Sequence, residues 1–507
     1  MSTHEHRFRH DPPIAVEKAH VKPASEPENS AHIGTDTGRS EAVRAWAALG
    51  VIALGLFLAV ASTTMVGLAA SRIGADLHAS ADELEWIVDA YVLVYSSLLV
   101  AGGVLGDHRG RKGVFLIGVL LFGLGSIVAG AAPTIGILIA GRALQGLGPA
   151  LLVPGSLTII RALFPSERQR AIAIGLWSTA SGVALALGPI LGGVLIDVGS
   201  WRWVFLFNAP LAAIVAVLAA RLVPQLPRNA GPARFDWAGA ILTITTITLL
   251  AYGTIVGPAR GWLSTVVVST LTGGAATFAA LVAWEARVEH PHIQVRLFVR
   301  PAFAVANLSA LVVFFAFVGG IVYFSAYFQQ VRHMTAIDTG LAISAIGVAF
   351  AIAASQSGRL VVRIGPAVPM LVGLTTAGVA MLGLLRLQID TPISALWWNS
   401  AVLGAGIGLS LTPMTAVAMS AVDDRQAGMV SAVHNALRQV GQLFGVAVLG
   451  ALVYTGLPAG VSAGTPSDRR AADLMVTGLH HAIWLSGLAL LACAATGAVV
   501  LGSARRT

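Results

Sequence analysis

From residue 45 onward the chain is a succession of fourteen apolar runs, each about 20 residues or longer and parted from the next by a polar break. A hydrocarbon core about 30 Å thick takes about 20 residues of helix to cross, because each residue advances the axis by about 1.5 Å. The runs predict spanning helices at 45–70, 84–105, 113–132, 135–160, 170–196, 203–222, 237–256, 263–284, 302–328, 339–361, 367–385, 394–420, 428–455 and 479–503. Ahead of them, residues 1–44 are polar, with several Pro, Glu and His and no apolar period. Such a composition cannot bury a core and predicts a disordered tail. Its histidines, His4, His6, His10, His20 and His32, are spaced too irregularly to suggest a metal site.

Of the 507 residues, 56% are hydrophobic and only 11% charged, against about 25% charged in a soluble domain. The expected class is an all-α integral membrane protein, with the lipid bilayer as its main partner. The formal charge of +8 does not point to nucleic acid, because the bases sit between apolar runs instead of gathering on one patch. With the amino terminus inside, the inner loops and final tail carry 17 Lys and Arg, the leader six more, and the outer loops seven. Lys and Arg favour the cytoplasmic side, which predicts a multi-pass protein of the cell membrane with both termini cytoplasmic. The single cysteine, Cys493, lies in the last run and excludes an intrachain disulfide. The chain has no phosphate loop of the G-x-x-x-x-G-K-[ST] type, no metal-ligand cluster and no evident nucleophile with a base. Neither an enzyme nor a bound cofactor or metal is expected.

Between the second and third runs stands Gly103–Lys112, GVLGDHRGRK. It reads as a short glycine-opened turn carrying one acid, Asp107, among Arg109, Arg111 and Lys112, with Gly110 where a tight turn needs it. The pattern recurs 255 residues later: Gly103-x-Leu105 followed by Gly110 returns as Gly358-x-Leu360 followed by Gly365, with Val362 in place of Asp107. A repeat of this length implies two like halves. The expected organisation is a tail at 1–44, a six-helix bundle at 45–222, linkers and two added helices at 223–301, a second six-helix bundle at 302–503 and a short tail at 504–507.

Polar residues inside the runs are the candidates for chemistry. Asp89 is the one carboxylate well within an apolar run, where an ionised acid costs several kcal/mol unless it is hydrated, paired or protonated. Asp89, Ser96 and Gly103 recur every seven residues along one face, and Asp107 follows Asp89 by 18 residues, roughly 27 Å along a helix axis. Asp89 is thus expected near the outer mouth, as proton carrier or cation site, with a hydrated surface acid as the alternative. Arg142 opens Arg142-Ala143-Leu144-Gln145-Gly146-Leu147-Gly148 and cannot shed its proton, so within a span it needs a carboxylate, carbonyls or water; read structurally, it pins its helix to a neighbour. Gly182, Gly188, Pro189, Gly192 and Gly193 mark a fifth helix built for close approach. Phe317, Phe324 and Phe328 share a face of the ninth helix, as a ligand wall or as core. Ser431, Asn435, Arg438 and Gln442 form a polar stripe on the thirteenth, with His434 beside it, for binding or for helix adhesion.

These stretches resemble the major facilitator superfamily over roughly residues 45–503. Gly103, Leu105, Asp107, Gly110, Arg111 and Lys112 match its signature loop, G-x-L-a-D-r-x-G-r-K, and the Arg142 stretch is similar to its helix-4 motif, R-x-x-q-G-x-g. The helix-5 glycines resemble its antiporter motif, G-x-x-x-G-P-x-x-G-G, with Ala184 at the expected place of the first glycine. Trp201-Arg202-Trp203-Val204-Phe205 and Asn208-Ala209-Pro210 match a stretch typical of the 14-helix drug:proton antiporter branch. The resemblance implies proton-coupled export of lipophilic or cationic drugs by a monomer, through alternating access of the two halves. It implies a coupling role for Arg142, and a cytoplasmic latch of Asp107, Arg111 and Lys112 against the start of helix 13. Tyr91, Phe317, Phe324, Phe328, His434, Asn435 and Arg438 are the candidates for the substrate cavity. One departure stands out: the branch usually has an acid early in helix 1, in D-x-T, where this chain has Ser62-Thr63-Thr64. A dedicated exporter of an endogenous metabolite, lipid or siderophore, and a non-transporting receptor or scaffold, are the alternative readings.

Overall fold

A computed structural model describes residues 33–79, 81–226, 236–288, 291, 293–420, 422, 427–454 and 469–503. Of the tail expected at 1–44, residues 1–32 lie outside the described residues, as do the tail at 504–507 and the linker around Phe235, whereas residues 33–44 are helical. Residues 45–507 constitute one compact unit and residues 1–44 another. Among the described residues the regular structure is helical: α1 Ile33–Leu77, α2 Ala81–Arg109, α3 Arg111–Gly130, α4 Ile135–Leu163, α5 Glu167–Val198, α6 Trp201–Leu206, α7 Asn208–Leu222, α8 Trp237–Arg260, α9 Thr265–Glu285, α10 Pro301–Ala326, α11 Ala336–Ile364, α12 Ala367–Gly383, α13 Ile393–Ser420, α14 Ala427–Val453 and α15 Arg469–Ser503. With α6 and α7 forming one span, fourteen described segments are long and apolar enough to cross a membrane. This is the all-α, multi-pass class that the pattern predicts.

Several boundaries differ from the sequence reading, each for a local reason. Helix α1 begins at Ile33 instead of residue 45, and α15 at Arg469 instead of residue 479. Hydropathy marks where a helix enters lipid, whereas backbone hydrogen bonds continue beyond it. The sixth span is broken at Phe207; Pro210 lacks the N–H that would reach back to Leu206, so the ladder cannot run through. The turn between α2 and α3 is shorter than expected. Helix α2 runs through Gly103 and Asp107 to Arg109, and Gly110 alone, at φ 103°, reverses the chain. Its repeat mate Gly365 ends α11 at φ 77°, so both glycines adopt a left-handed conformation that a side chain would oppose.

The helices of the two expected halves meet along two seams, α5 against α11 and α2 against α14. The repeat maps α2 onto α11, which makes each seam the counterpart of the other. Along α5 and α11 the backbones nearly touch, with Gly358 on Ala171, Gly175 on Ala354, Gly182 on Ala351, Gly347 on Ala186 and Gly193 beside Ile337. In lipid no hydrophobic force drives helices together, so contact this close is what dispersion needs to hold them. The α2–α14 seam is made of larger side chains. Helix α8 of the added pair packs on both its helices, and meets α2 through Thr248 to Ser97 (3.1 Å) and Tyr252 to Trp86 (ring centroids 5.9 Å apart).

At the end of the bundle opposite Gly110, Asp76 accepts from Arg202 (2.6 Å) and from the Trp201 indole N–H (2.9 Å). These two donors hold its carboxyl below the usual carboxylate range. The Trp-Arg pair that opens α6 thus serves to fasten α1.

A methyl group on Gly358 would stand 2.2 Å from the Ala171 carbonyl oxygen, whereas one on Gly106 meets nothing within 4 Å. Alanine is favoured over glycine in a helix by about 1 kcal/mol. Gly106→Ala is therefore expected to hold or raise the melting temperature in detergent, and Gly358→Ala to lower it by several degrees. Equal melting of the two variants would contradict a rigid α5–α11 contact.

Candidate functional site: the α2–α14 seam and its charged end

At the Gly110 end, the signature residues connect helix termini. Arg111 Nε donates to Asp107 Oδ1 at 3.1 Å across the Gly110 turn, with both side chains largely buried. The Asp107 carboxylate also lies near the backbone N–H of Met429, in the first turn of α14. An acid there meets the positive end of the helix dipole. Lys112 Nζ donates to Ala220 O (2.7 Å), in the last turn of α7. A second bridge between the halves comes from a residue that the sequence reading did not single out. Arg161, near the end of α4, donates to Met419 O (2.8 Å) and Val422 O (3.1 Å) at the end of α13. A guanidinium at a helix C-terminus is the electrostatic mirror of the Asp107 contact. Its only signal in the sequence is a base just outside the fourth run.

Toward the end opposite Gly110, Arg142 is fully buried and holds four helices together. Its Nε donates to Ile87 O on α2 (2.7 Å), and one terminal nitrogen donates to Ser62 Oγ on α1 (3.1 Å) and to Gln145 Oε1 on its own α4 (2.5 Å). Gln145 in turn donates to Ser126 Oγ on α3 (2.7 Å). The guanidinium lies 4.3 Å from the centroid of the Tyr91 ring, whose hydroxyl donates to Ala59 O (2.8 Å). The Ser62 position, where the resemblance leads one to expect an acid, is thus occupied by the hydroxyl that receives Arg142.

Four residues beyond Tyr91 on α2, Tyr95 lies 6.0 Å from it ring to ring and reaches the other half of the protein. There it lies near Gln439 and Arg438 on α14. Arg438 donates to Asn435 Oδ1 (3.0 Å) and lies over the Phe314 ring at 4.2 Å. Asn435 is fixed by its own bond to Ser431 O (2.9 Å), and Ser431 Oγ donates across the seam to Pro154 O on α4 (3.1 Å). The polar stripe of α14 therefore faces the first half. The seam brings together Tyr91, Arg142, Asn435 and Arg438 from the predicted set, and adds Tyr95, Phe314 and Gln439.

Other candidates lie elsewhere. Asp89 is half-buried on α2. It stands two residues from Ile87 and two from Tyr91, about 200° around the helix from both, and so faces away from Arg142. His434 points into the second half, its ring nitrogens 3.2 Å from Asn307 Oδ1 and 3.2 Å from Thr415 Oγ1. Phe317 stacks on Phe350 with ring centroids 5.9 Å apart. Phe324 and Phe328 line a small apolar pocket with Ile346, Leu387 and Leu396. His434 and these three phenylalanines are buried among residues 297–501, and the aromatic that meets a seam cation is Phe314. On α5 the motif glycines serve two neighbours. Gly188 lies against Thr64 and Gly192 against Met65 on α1, while Gly182 and Gly193 face α11; α5 runs helically through Pro189.

The family model described as Major Facilitator Superfamily matches residues 52–446. The chain is 37% identical over 408 residues to the multidrug resistance protein Stp of Mycobacterium tuberculosis, covering 80% of this chain and 75% of that protein. It is 31% identical over 405 residues to the methylenomycin A resistance protein of Bacillus subtilis, covering 80% and 86%. Among solved structures it resembles the human organic anion transporter MFSD10 with a TM-score of 0.64, covering 88% of this chain and 99% of that one. At 17% identity that likeness speaks to the fold.

If the Asp107 and Arg161 bonds close this end, cutting one of them should open it. The sole cysteine, Cys493, is buried, which leaves a quiet background for labelling. In a Ser431→Cys chain, Arg161→Ala is expected to raise the rate of modification by a water-soluble maleimide several-fold, applied from the Gly110 side. An unchanged rate would show that Arg161 plays no part in closure.

Proposed function

The chain belongs to the major facilitator superfamily of membrane transporters, and from that premise we propose that it is a proton-coupled exporter of drug-like small molecules. It sits in the cytoplasmic membrane as a monomer with both termini and the Gly110 end in the cytoplasm. The resistance proteins to which it is similar support this reading. The observation that carries it is the way the halves are held at one end: Asp107 on a helix start and Arg161 on a helix end, each crossing from one half to the other. Charge-to-terminus bonds of this kind are each worth about a kcal/mol, up to about 2 in partly buried geometry. They hold one state closed, yet are weak enough to be exchanged within a transport cycle.

In the cycle we propose, the Gly110 end is closed and the opposite side gives external protons access to Asp89. Protonation removes a charge that is expensive to carry through a low-dielectric region, accompanies outward release of the substrate and permits the halves to rock. The proton leaves to the cytoplasm once Asp107 and Arg161 have let go of α14 and α13. The gradient is the driving force, since a membrane potential of about 100 mV is worth about 2.3 kcal/mol per charge moved.

The test is dye transport driven by an imposed pH gradient in everted vesicles, across anionic, neutral and cationic dyes. Asp89→Asn is expected to lower gradient-driven transport at least tenfold while leaving exchange of dye across the membrane measurable, and Asp89→Glu to restore part of it. Wild-type coupling in Asp89→Asn would remove Asp89 from the mechanism. For the latch, Asp107→Ala is expected to impair turnover with normal insertion into the membrane; undiminished turnover would reduce the signature loop to a topological signal.

A further inference from the structure

We infer that the cargo of this transporter is an organic anion, held at the seam by Arg438. The inference rests on the export reading and names the charge of the substrate.

Two guanidiniums lie between the helices, Arg142 fully buried and Arg438 with 6% of its surface exposed. Neither can lose its proton under physiological conditions. No carboxylate among the described residues comes within 4 Å of either one. Each also retains a buried nitrogen without an acceptor, a terminal nitrogen of Arg142 and Nε of Arg438. A buried cation lacking its counter-ion is a costly arrangement, by several kcal/mol, unless something supplies negative charge.

The chain has the opportunity to supply that charge itself and does not. At the Arg142 contact on α1 stands Ser62, a neutral hydroxyl. Asp89 lies around the far side of α2 from Ile87, whose carbonyl Arg142 uses. Of the tyrosines near the two cations, Tyr91 turns its ring face to Arg142 and Tyr95 lies near Arg438, and neither brings a formal charge. The seam therefore carries uncompensated positive charge.

The two arginines are not equivalent. Arg142 is tied by three hydrogen bonds and a ring, spread over three helices, and acts as fixed charge. Arg438 is tied by one hydrogen bond and the Phe314 ring. It stands where the halves separate, with a free N–H and the Gln439 amide alongside. A carboxylate or sulfonate would take that N–H, and an apolar body would lie on Phe314 and Tyr95. Arg142 contributes the field, and Arg438 the contact.

The charge assignment has an electrical consequence. Sending an anion outward while a proton comes inward moves two charges in the same sense, so an inside-negative potential accelerates the cycle. One-for-one exchange of a monovalent cation for a proton moves none.

Full-length protein reconstituted in liposomes is tested with anilinonaphthalene sulfonate as lipophilic anion and ethidium as lipophilic cation, each under a pH gradient with and without a potassium–valinomycin potential. Wild type is expected to carry the anion at least tenfold faster than ethidium, with a rate that rises with the potential. Arg438→Gln should lower anion flux at least tenfold and Arg438→Lys retain part of it. Should Arg438→Gln fail to elute as a folded species, Ser62→Asp supplies the second arm. A carboxylate beside Arg142 is expected to lower the anion-to-cation ratio several-fold. Ethidium carried as fast as the anion, or an anion rate indifferent to both substitutions, would overturn the assignment while leaving export intact. Absence of gradient-driven flux for both probes would overturn the export reading beneath it.

Discussion

A guanidinium that cannot be neutralised, placed where no water can reach it, dictates much of the first half. Arg142 must find acceptors, and it finds them on α1 and α2 as well as on its own helix, with Gln145 extending the network to α3. Each of these helices is otherwise free to slide in a solvent as apolar as its own surface. The network fixes their register, and with it the position of Tyr91 and the approach of α2 to the other half. Without this hub the seam would have no defined geometry.

The second half meets the first in two different manners. Along α5 and α11 the fit is backbone on backbone, and such a contact tolerates rotation far better than it tolerates separation. At the Gly110 end the fit is electrostatic, an acid on a helix start and a base on a helix end. The first kind of contact acts as a bearing, the second as a catch. Rocking about a fixed interior site is the motion such an arrangement permits.

Much of this was legible in the sequence, because hydropathy counts spans directly and a glycine that must reverse the chain leaves few alternatives. Gly110 and Gly365 were both found from a repeat of three residues, and both take up left-handed backbone. What the sequence withheld was direction around the helix axis. Helix α10 is apolar on every side, so nothing in its composition says that Phe314 meets Arg438 while Phe317 packs on Phe350. Hydropathy likewise placed Asp107 in a loop, since a charged residue ends an apolar run whether or not the helix continues. Arg161 escaped notice for a related reason: its partners are carbonyl oxygens, which every residue has and no pattern marks. The role of Ser62 could be read only as a missing acid until its hydroxyl was seen to receive Arg142.

The added pair breaks the two-fold likeness of the seams. Helix α8 packs on both α2 and α14, so one junction between the halves wears a lid toward the bilayer. Among the described residues, neither helix of the added pair packs closely on the repeat-related junction of α5 with α11. A solute dissolved in the lipid consequently meets a molecule with a shuttered flank and a bare one, and α8 must be sheared whenever the halves tilt. The extra helices thus make the transporter lopsided: sideways approach and mechanical drag both fall unequally on the two flanks.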